Sequence, residues 1–408
     1  MLKSIFHSSW PLFLGVAMVG MTTGLQNTLL SLRAELEGFA SVSIGLILAG
    51  YFIGFLLGSI RAPKMIMRVG HIRAFAALAA MASISILLHA IWVNTYAWFV
   101  LRLLSGFCFS AIFVIAESWV NDKADNQNRG TLLSVYVSML FGGIGLGQFL
   151  ITVGDPRDFI QFTLVSVLIS AAVIPLLITK TPAPTFQQAE KMPVNQLLKM
   201  VPLGVLGCFI LQFGYASMFG FGPVYFSRLG LSLLHIASLM AIFIFGCLCM
   251  QFQLGKLSDR FDRKLIMTVC GFGASTLAIW LAQLTAASGW QLYLACYLFG
   301  ALFLPLYSMA IAHTNDHLAK RQMVAASSVL IRANGLGAIG GLVLSGLLLD
   351  KFGSAVFFYF IGLLPAIVAL MAFYHYCFQR PTSQRPHSNA VSPTQVTQTM
   401  INNALNDD

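Results

Sequence analysis

Three charged side chains, Arg102, Glu117 and Arg332, stand inside stretches that are otherwise apolar. A charge at bilayer depth is costly, so such residues usually face a wet cavity or a partner. A guanidinium fork matches a carboxylate bidentately, so two arginines facing one cavity would select an anionic solute. Arg332 has no acid at its own depth. Its partner is either a substrate carboxylate or phosphate, or a structural hydrogen bond to carbonyls or to Asn334. Arg102 reads either as an interfacial anchor or as a cavity group. Glu117 is the one acid within any of the stretches. A partly buried carboxylate with a raised pKa is what proton coupling requires, and a charge near a helix end can also snorkel. Paired carboxylates, a defensible Ser-His-Asp grouping and a Walker A loop are all missing from the sequence, so no enzyme and no ATP drive is expected.

The stretches that carry these residues are membrane spans. The chain has 408 residues, 58% hydrophobic and 9% charged, with a mean hydropathy of +0.80. A soluble domain is nearer a quarter charged. Twelve apolar runs, each long enough for a helical crossing, fall at 10–32, 42–61, 73–92, 97–120, 131–153, 160–179, 201–226, 233–254, 264–285, 290–313, 322–349 and 354–378. The first is too long for a signal peptide and reads as a retained helix. The predicted fold is an all-α membrane protein of twelve helices in two six-helix bundles, 1–179 and 201–378. A central cytoplasmic loop, 180–200, joins them, and a polar, disordered cytoplasmic tail, 379–408, follows.

With both termini cytoplasmic, all 24 Lys and Arg fall in cytoplasmic segments except Arg33, Arg157, Arg228 and Lys351 outside and Arg102 and Arg332 within spans. The positive-inside rule therefore sets the orientation. It also accounts for the net charge of +10, and no nucleic-acid partner is implied. The seven cysteines read as small apolar residues, and no metal site is expected. His313 and His317, four apart, have only one neighbouring acid. "GLGAIG" (335–340) lies mid-membrane with no preceding strand, so it is a packing surface and not a nucleotide site.

The chain also repeats itself. At an offset of 194, Leu104, Gly106 and Phe109 fall on Leu298, Gly300 and Phe303, and Asn121-Asp122 falls on Asn315-Asp316. Gly143 and Gly147 fall on Gly337 and Gly341 in the same register. At 192, the loop "PKMIMRVGHIR" (63–73) falls on "GKLSDRFDRK" (255–264), in which six of ten residues are charged.

That second stretch resembles the loop motif of the major facilitator superfamily, G-x-x-x-D-R-x-G-R-R/K. Gly255, Asp259, Arg260, Arg263 and Lys264 fit, and Asp262 replaces the second glycine. The first copy keeps Arg68, Gly70 and Arg73 but has Met67 where the acid should be. "RLLSG" (102–106) and "ESWVNDKADNQNRG" (117–130) are similar to the superfamily's elements in and after span 4. The resemblance extends to a bacterial inner-membrane permease branch and names no substrate. It implies a cytoplasmic latch of Asp259, Arg260 and Arg263 with Arg68 and Arg73; the other reading of these charges is plain positive-inside anchoring. Glu117 would form a second gate element with Arg129 or with the basic loop after span 2. It also implies a cavity lined by spans 1, 4, 7 and 10. There Gln26, Asn27, Gln212, Tyr215, Tyr297 and Tyr307 either orient a solute or serve as interhelical hydrogen bonds.

The expected function is secondary active transport of a small organic solute, anionic if both arginines face the cavity, by alternating access, with no cofactor and with H+ or another cation gradient as the coupling source. Span 1 lacks the acid that many proton-coupled members carry. "GGIGLGQF" (142–149) has the glycines of an antiporter signature, but Gln148 stands where proline is expected. This favours an importing permease over an exporter; a non-transporting receptor is a distant third. A monomer in the lipid bilayer is expected.

Overall fold

The computed structural model describes residues 2–122, 129–178 and 192–378. The expected tail 379–408 and most of the central loop 180–200 lie outside the described residues, as does the side chain of Arg129.

The described residues form helices and connecting turns, with no strand. The first half comprises α1 (Leu2–Leu36), α2 (Ser41–Val69), α3 (His71–Ile91), α4 (Thr95–Asp122), α5 (Arg129–Phe149) and α6 (Ile160–Ile178). A short α7 (Val194–Met200) lies within the segment expected to be loop, starting after Pro193 and burying Leu197. The second half comprises α8 (Pro202–Arg228), α9 (Leu233–Arg260), α10 (Arg263–Gln283), α11 (Trp290–Asn315), α12 (Lys320–Phe352) and α13 (Val356–Phe378). Eleven of these are long and apolar enough to cross a membrane, and Ile160–Pro175 of α6 is a shorter apolar helix. Apolar runs in lipid must satisfy every backbone group internally, which leaves the helix as their only open form. The chain is thus a multi-pass membrane protein of the expected twelve-helix class.

The charged stretches do not mark where the helices end. The basic stretch 63–73, expected as a loop, is helical up to Val69, and α3 begins at His71. Gly70 alone separates them, at φ 87°, a conformation that L side chains rarely adopt. Likewise α9 runs to Arg260 and α10 starts at Arg263. Asp262 caps α10 by accepting from the Lys264 N–H at 2.9 Å.

The sequence repeat reappears as packing. An added Cβ on Gly54 would strike the Leu103 carbonyl, and one on Gly106 would strike that of Tyr51. In the second half Gly246 abuts the Tyr297 carbonyl and Gly300 that of Phe243, so the α9–α11 contact repeats the α2–α4 contact. Gly143 and Gly147 press on Ala17 and Met21 of α1, and their counterparts Gly337 and Gly341 press on Phe209 and Phe213 of α8. These contacts bring helix backbones together as small residues do in membrane interfaces. Gly106→Val should therefore lower the folded yield and melting temperature in detergent, since overpacking costs about 1–3 kcal/mol. Gly255→Val, where nothing lies within reach of a Cβ, is the control. Equal melting temperatures would mean that the α2–α4 contact yields freely.

One face of the bundle, here the basal face, carries the start of α1 and the end of α13. On the opposite, far face, the halves are tied together. Arg228, ending α8, donates from Nε and Nη2 to the two Glu35 carboxylate oxygens of α1 at 2.7 and 2.9 Å. Its Nη2 also reaches Ser41 Oγ at 2.9 Å. Asp350 of α12 accepts from the backbone N–H groups of Ser41 and Val42, each at 2.8 Å. The N-terminus of α2 is thereby capped by the other half. Away from this face, α4 and α11 pack extensively only within their own halves.

Candidate functional site

Between the halves lies a cavity of about 250 Å³. The first half contributes Thr23 and Asn27 of α1, Tyr51 and Phe55 of α2, Arg102 and Phe113 of α4, and Phe141 of α5. The second half contributes Tyr215 and Phe219 of α8 and Asn334 of α12.

Arg102 dominates its electrostatics. It lies seven residues after the first residue of α4, about 10 Å deep at 1.5 Å per residue, and is 2% exposed. Nη2 donates to Asn27 Oδ1 at 3.1 Å, and the guanidinium carbon stands 4.6 Å from the Tyr51 ring centroid. Nε and Nη1 are buried without a hydrogen-bond partner. Behind it, α3 and α4 are pinned together. Ser85 Oγ donates to the Leu101 carbonyl at 2.9 Å and lies 3.1 Å from Ser105 Oγ. Trp98 Nε1 donates to the His89 carbonyl at 3.0 Å. Arg102 is thus a buried cation beside the cavity, with two donors that no protein group meets.

Of the eight residues expected to touch substrate, Asn27, Arg102 and Tyr215 line the cavity. Tyr307 stands one step behind, its hydroxyl accepting from Asn334 Nδ2 at 2.9 Å. Gln26 and Gln212 are buried but are not among the lining residues. Tyr297 packs beside Phe245 at 6.2 Å between ring centroids, and Phe245 is exposed. Arg332 is exposed, as is Leu336 one turn further, and α12 turns Ile331, Asn334 and Gly335 to the cavity. Nothing in the sequence marks Tyr51, Phe55 or Asn334 as a substrate contact. The arginine two residues before Asn334 is the only hint. Gln148, which stands where a proline is expected, ties α5 to α1. Its Oε1 accepts from Thr28 Oγ1 at 2.5 Å and its Nε2 donates to the Gly24 carbonyl at 3.3 Å.

The residues expected to form a latch sit at the basal face. Arg263 donates to Asp259 at 2.7 Å, to Asp316 at 2.9 Å and to Ser258 Oγ at 3.1 Å. It thus joins the ends of α9, α10 and α11 within the second half. Asp316 belongs to the Asn-Asp pair that the repeat picked out. Arg260, Arg68 and Arg73 are exposed. Glu117 is buried, with Tyr136 of α5 beside its carboxyl. Asp259→Asn should slow transport several-fold and leave membrane insertion unchanged; transport at the wild-type rate would reduce the Arg263 cluster to a brace.

Twelve apolar helices in two similarly packed halves around a central cavity are the architecture of a membrane carrier. The family model described as Major Facilitator Superfamily matches residues 12–331, and the chain belongs to that family. It is a transporter and not an enzyme. It is 25% identical over 359 residues to the uncharacterized MFS-type transporter YcaD of Escherichia fergusonii, covering 88% of this chain and 93% of the relative. A relative in Enterobacter sp., the uncharacterized MFS-type transporter Ent638_1421, is 26% identical over 363 residues, with 88% and 94% covered. Among solved structures, a variant of the nucleoside transporter NupG superposes with a TM-score of 0.75 at 15% identity, covering 90% of this chain and 98% of that one. The D-xylose-proton symporter superposes with a TM-score of 0.66 at 15% identity, covering 90% and 97%. At these identities the two structures support the fold.

Proposed function

We propose that this chain is a secondary active permease that carries a small organic anion across the bacterial inner membrane by alternating access. The observation that carries this reading is Arg102, a buried guanidinium that lines a cavity shared by both halves and has two N–H groups without a partner. Leaving such a charge unmet is costly, and a substrate carboxylate would meet it. With the basal face cytoplasmic, as the basic residues imply, the far-face ties close the cavity from outside. Glu117, buried beside Tyr136, is the candidate proton carrier.

Uptake into right-side-out and inside-out vesicles tests the reading, with a panel of carboxylates, amino acids, sugars and a lipophilic cation dye, each with and without an uncoupler. Uncoupler-sensitive carboxylate uptake into right-side-out vesicles is expected. Dye accumulation confined to inside-out vesicles would make the protein an exporter instead.

A further inference from the structure

Arg102, as the partner of an anion, sets the charge of the substrate, and the identity of the substrate's body rests on that reading together with the rest of the cavity. Among the described lining residues Arg102 is the one formal charge, so a single carboxylate is neutralised there. A second one would enter a buried space without a counter-charge.

The walls are aromatic on both sides. Tyr51, Phe55, Phe113 and Phe141 come from the first half, and Tyr215 and Phe219 from the second. Tyr215 and Phe219 form a tilted pair with centroids 4.7 Å apart. Phe55 lies 6.1 Å from Tyr51 and 6.4 Å from Phe113. Rings so spaced present faces and edges to a further ring. The neutral polar groups are few: Thr23, Asn27, Asn334 and the tyrosine hydroxyls. Asn27 Oδ1 already serves Arg102 and Asn334 Nδ2 is joined to Tyr307; Asn334 Oδ1 is the one unpartnered amide acceptor among them, so a solute ringed with hydroxyls would still leave several of them unmet. At about 250 Å³, the space is also below the roughly 300–1,000 Å³ typical of drug-sized ligands.

We infer that the substrate is a small aromatic monocarboxylate. Its carboxylate meets Arg102, and its ring lies among the aromatic side chains of α2 and α8. Because those side chains belong to opposite halves, the ring bridges them, and Tyr215 and Phe219 become specificity residues supplied by the second half.

The test is equilibrium binding of radiolabelled benzoate to the purified full-length protein in lipid nanodiscs. The competitors are acetate, phthalate and benzamide, which remove the ring, add a charge and remove the charge in turn. Benzoate should bind about tenfold or more tightly than acetate or phthalate, the size of effect that burying a ring produces, and benzamide should not compete. Tyr215→Ala should weaken benzoate about fivefold or more and leave acetate unchanged. Phe219→Leu, which keeps apolar volume without a π-face, should act in the same direction and stands in if the first variant does not fold. Acetate or phthalate competing as well as benzoate would overturn the aromatic monocarboxylate and leave the anion reading intact. Benzamide competing equally well would overturn both, and the absence of any binding at millimolar benzoate would overturn the aromatic monocarboxylate alone.

Discussion

Arg102→Gln should lower carboxylate uptake about 100-fold while raising the thermal stability of the substrate-free protein. Both effects stem from the same two unused donors. Each hydrogen bond from a charged donor to a substrate oxygen contributes about 1.5–3 kcal/mol, so losing two removes roughly the 3 kcal/mol that corresponds to two powers of ten. In the empty protein the sign reverses. The guanidinium is 2% exposed, with Nε and Nη1 unpartnered, and replacing an uncompensated buried charge by a neutral side chain is stabilising. Glutamine keeps an amide donor for Asn27, so the α1–α4 link can survive. Arg102→Lys retains the charge but loses the fork and the flat face over Tyr51, and intermediate uptake is expected. Initial uptake rates in vesicles, paired with melting temperatures in detergent, check both halves of the prediction. Wild-type uptake in Arg102→Gln would make the arginine a structural residue. A drop in uptake matched by a drop in melting temperature would point the same way.

That opposition between binding and stability explains why Arg102 is legible in the sequence: a charge so costly among apolar residues needs a reason. The twelve spans are legible because length and hydropathy suffice to define them. The duplication is legible through its glycines, since Gly106 and Gly300 must each admit a neighbouring backbone and tolerate little else. Other parts of the site are hidden for physical reasons. Arg332 and Asn334 are two residues apart, about 200° around a helix, and hydropathy does not fix which of them faces inward. Tyr51 and Phe55 look like any aromatic residues in a span, because an apolar cavity wall and a helix–helix contact draw on the same side chains. The basic stretches at 63–73 and 255–264 read as loops because their composition turns from apolar to charged, yet helices α2 and α9 continue into them.

The far-face tie is invisible in the sequence for another reason, since its partners lie 193 and 309 positions apart. Glu35, Arg228 and Asp350 each look like an ordinary charge at a helix end. Together they tie the two halves at this face, and the Arg228→Ala, Asp350→Ala double variant should open it. Capping a helix N-terminus with a carboxylate is worth about 1 kcal/mol. The Arg228–Glu35 pair, whose side chains are 27% and 22% exposed, adds up to about 1 kcal/mol after screening. About 2 kcal/mol in total shifts a two-state population by roughly 30-fold, enough to turn a minor open state into a major one. Spin labels on Ala40 and Leu234, exposed residues of opposite halves on this face, with the native cysteines replaced by alanine, report the change. The parent should give one short inter-label distance, and the double variant a second, longer population. Uptake should slow as well, because a carrier that rests open at the far face returns its empty site less often. An unchanged distance distribution would mean that helix packing alone, α2 against α12 and α5 against α9, closes the far face.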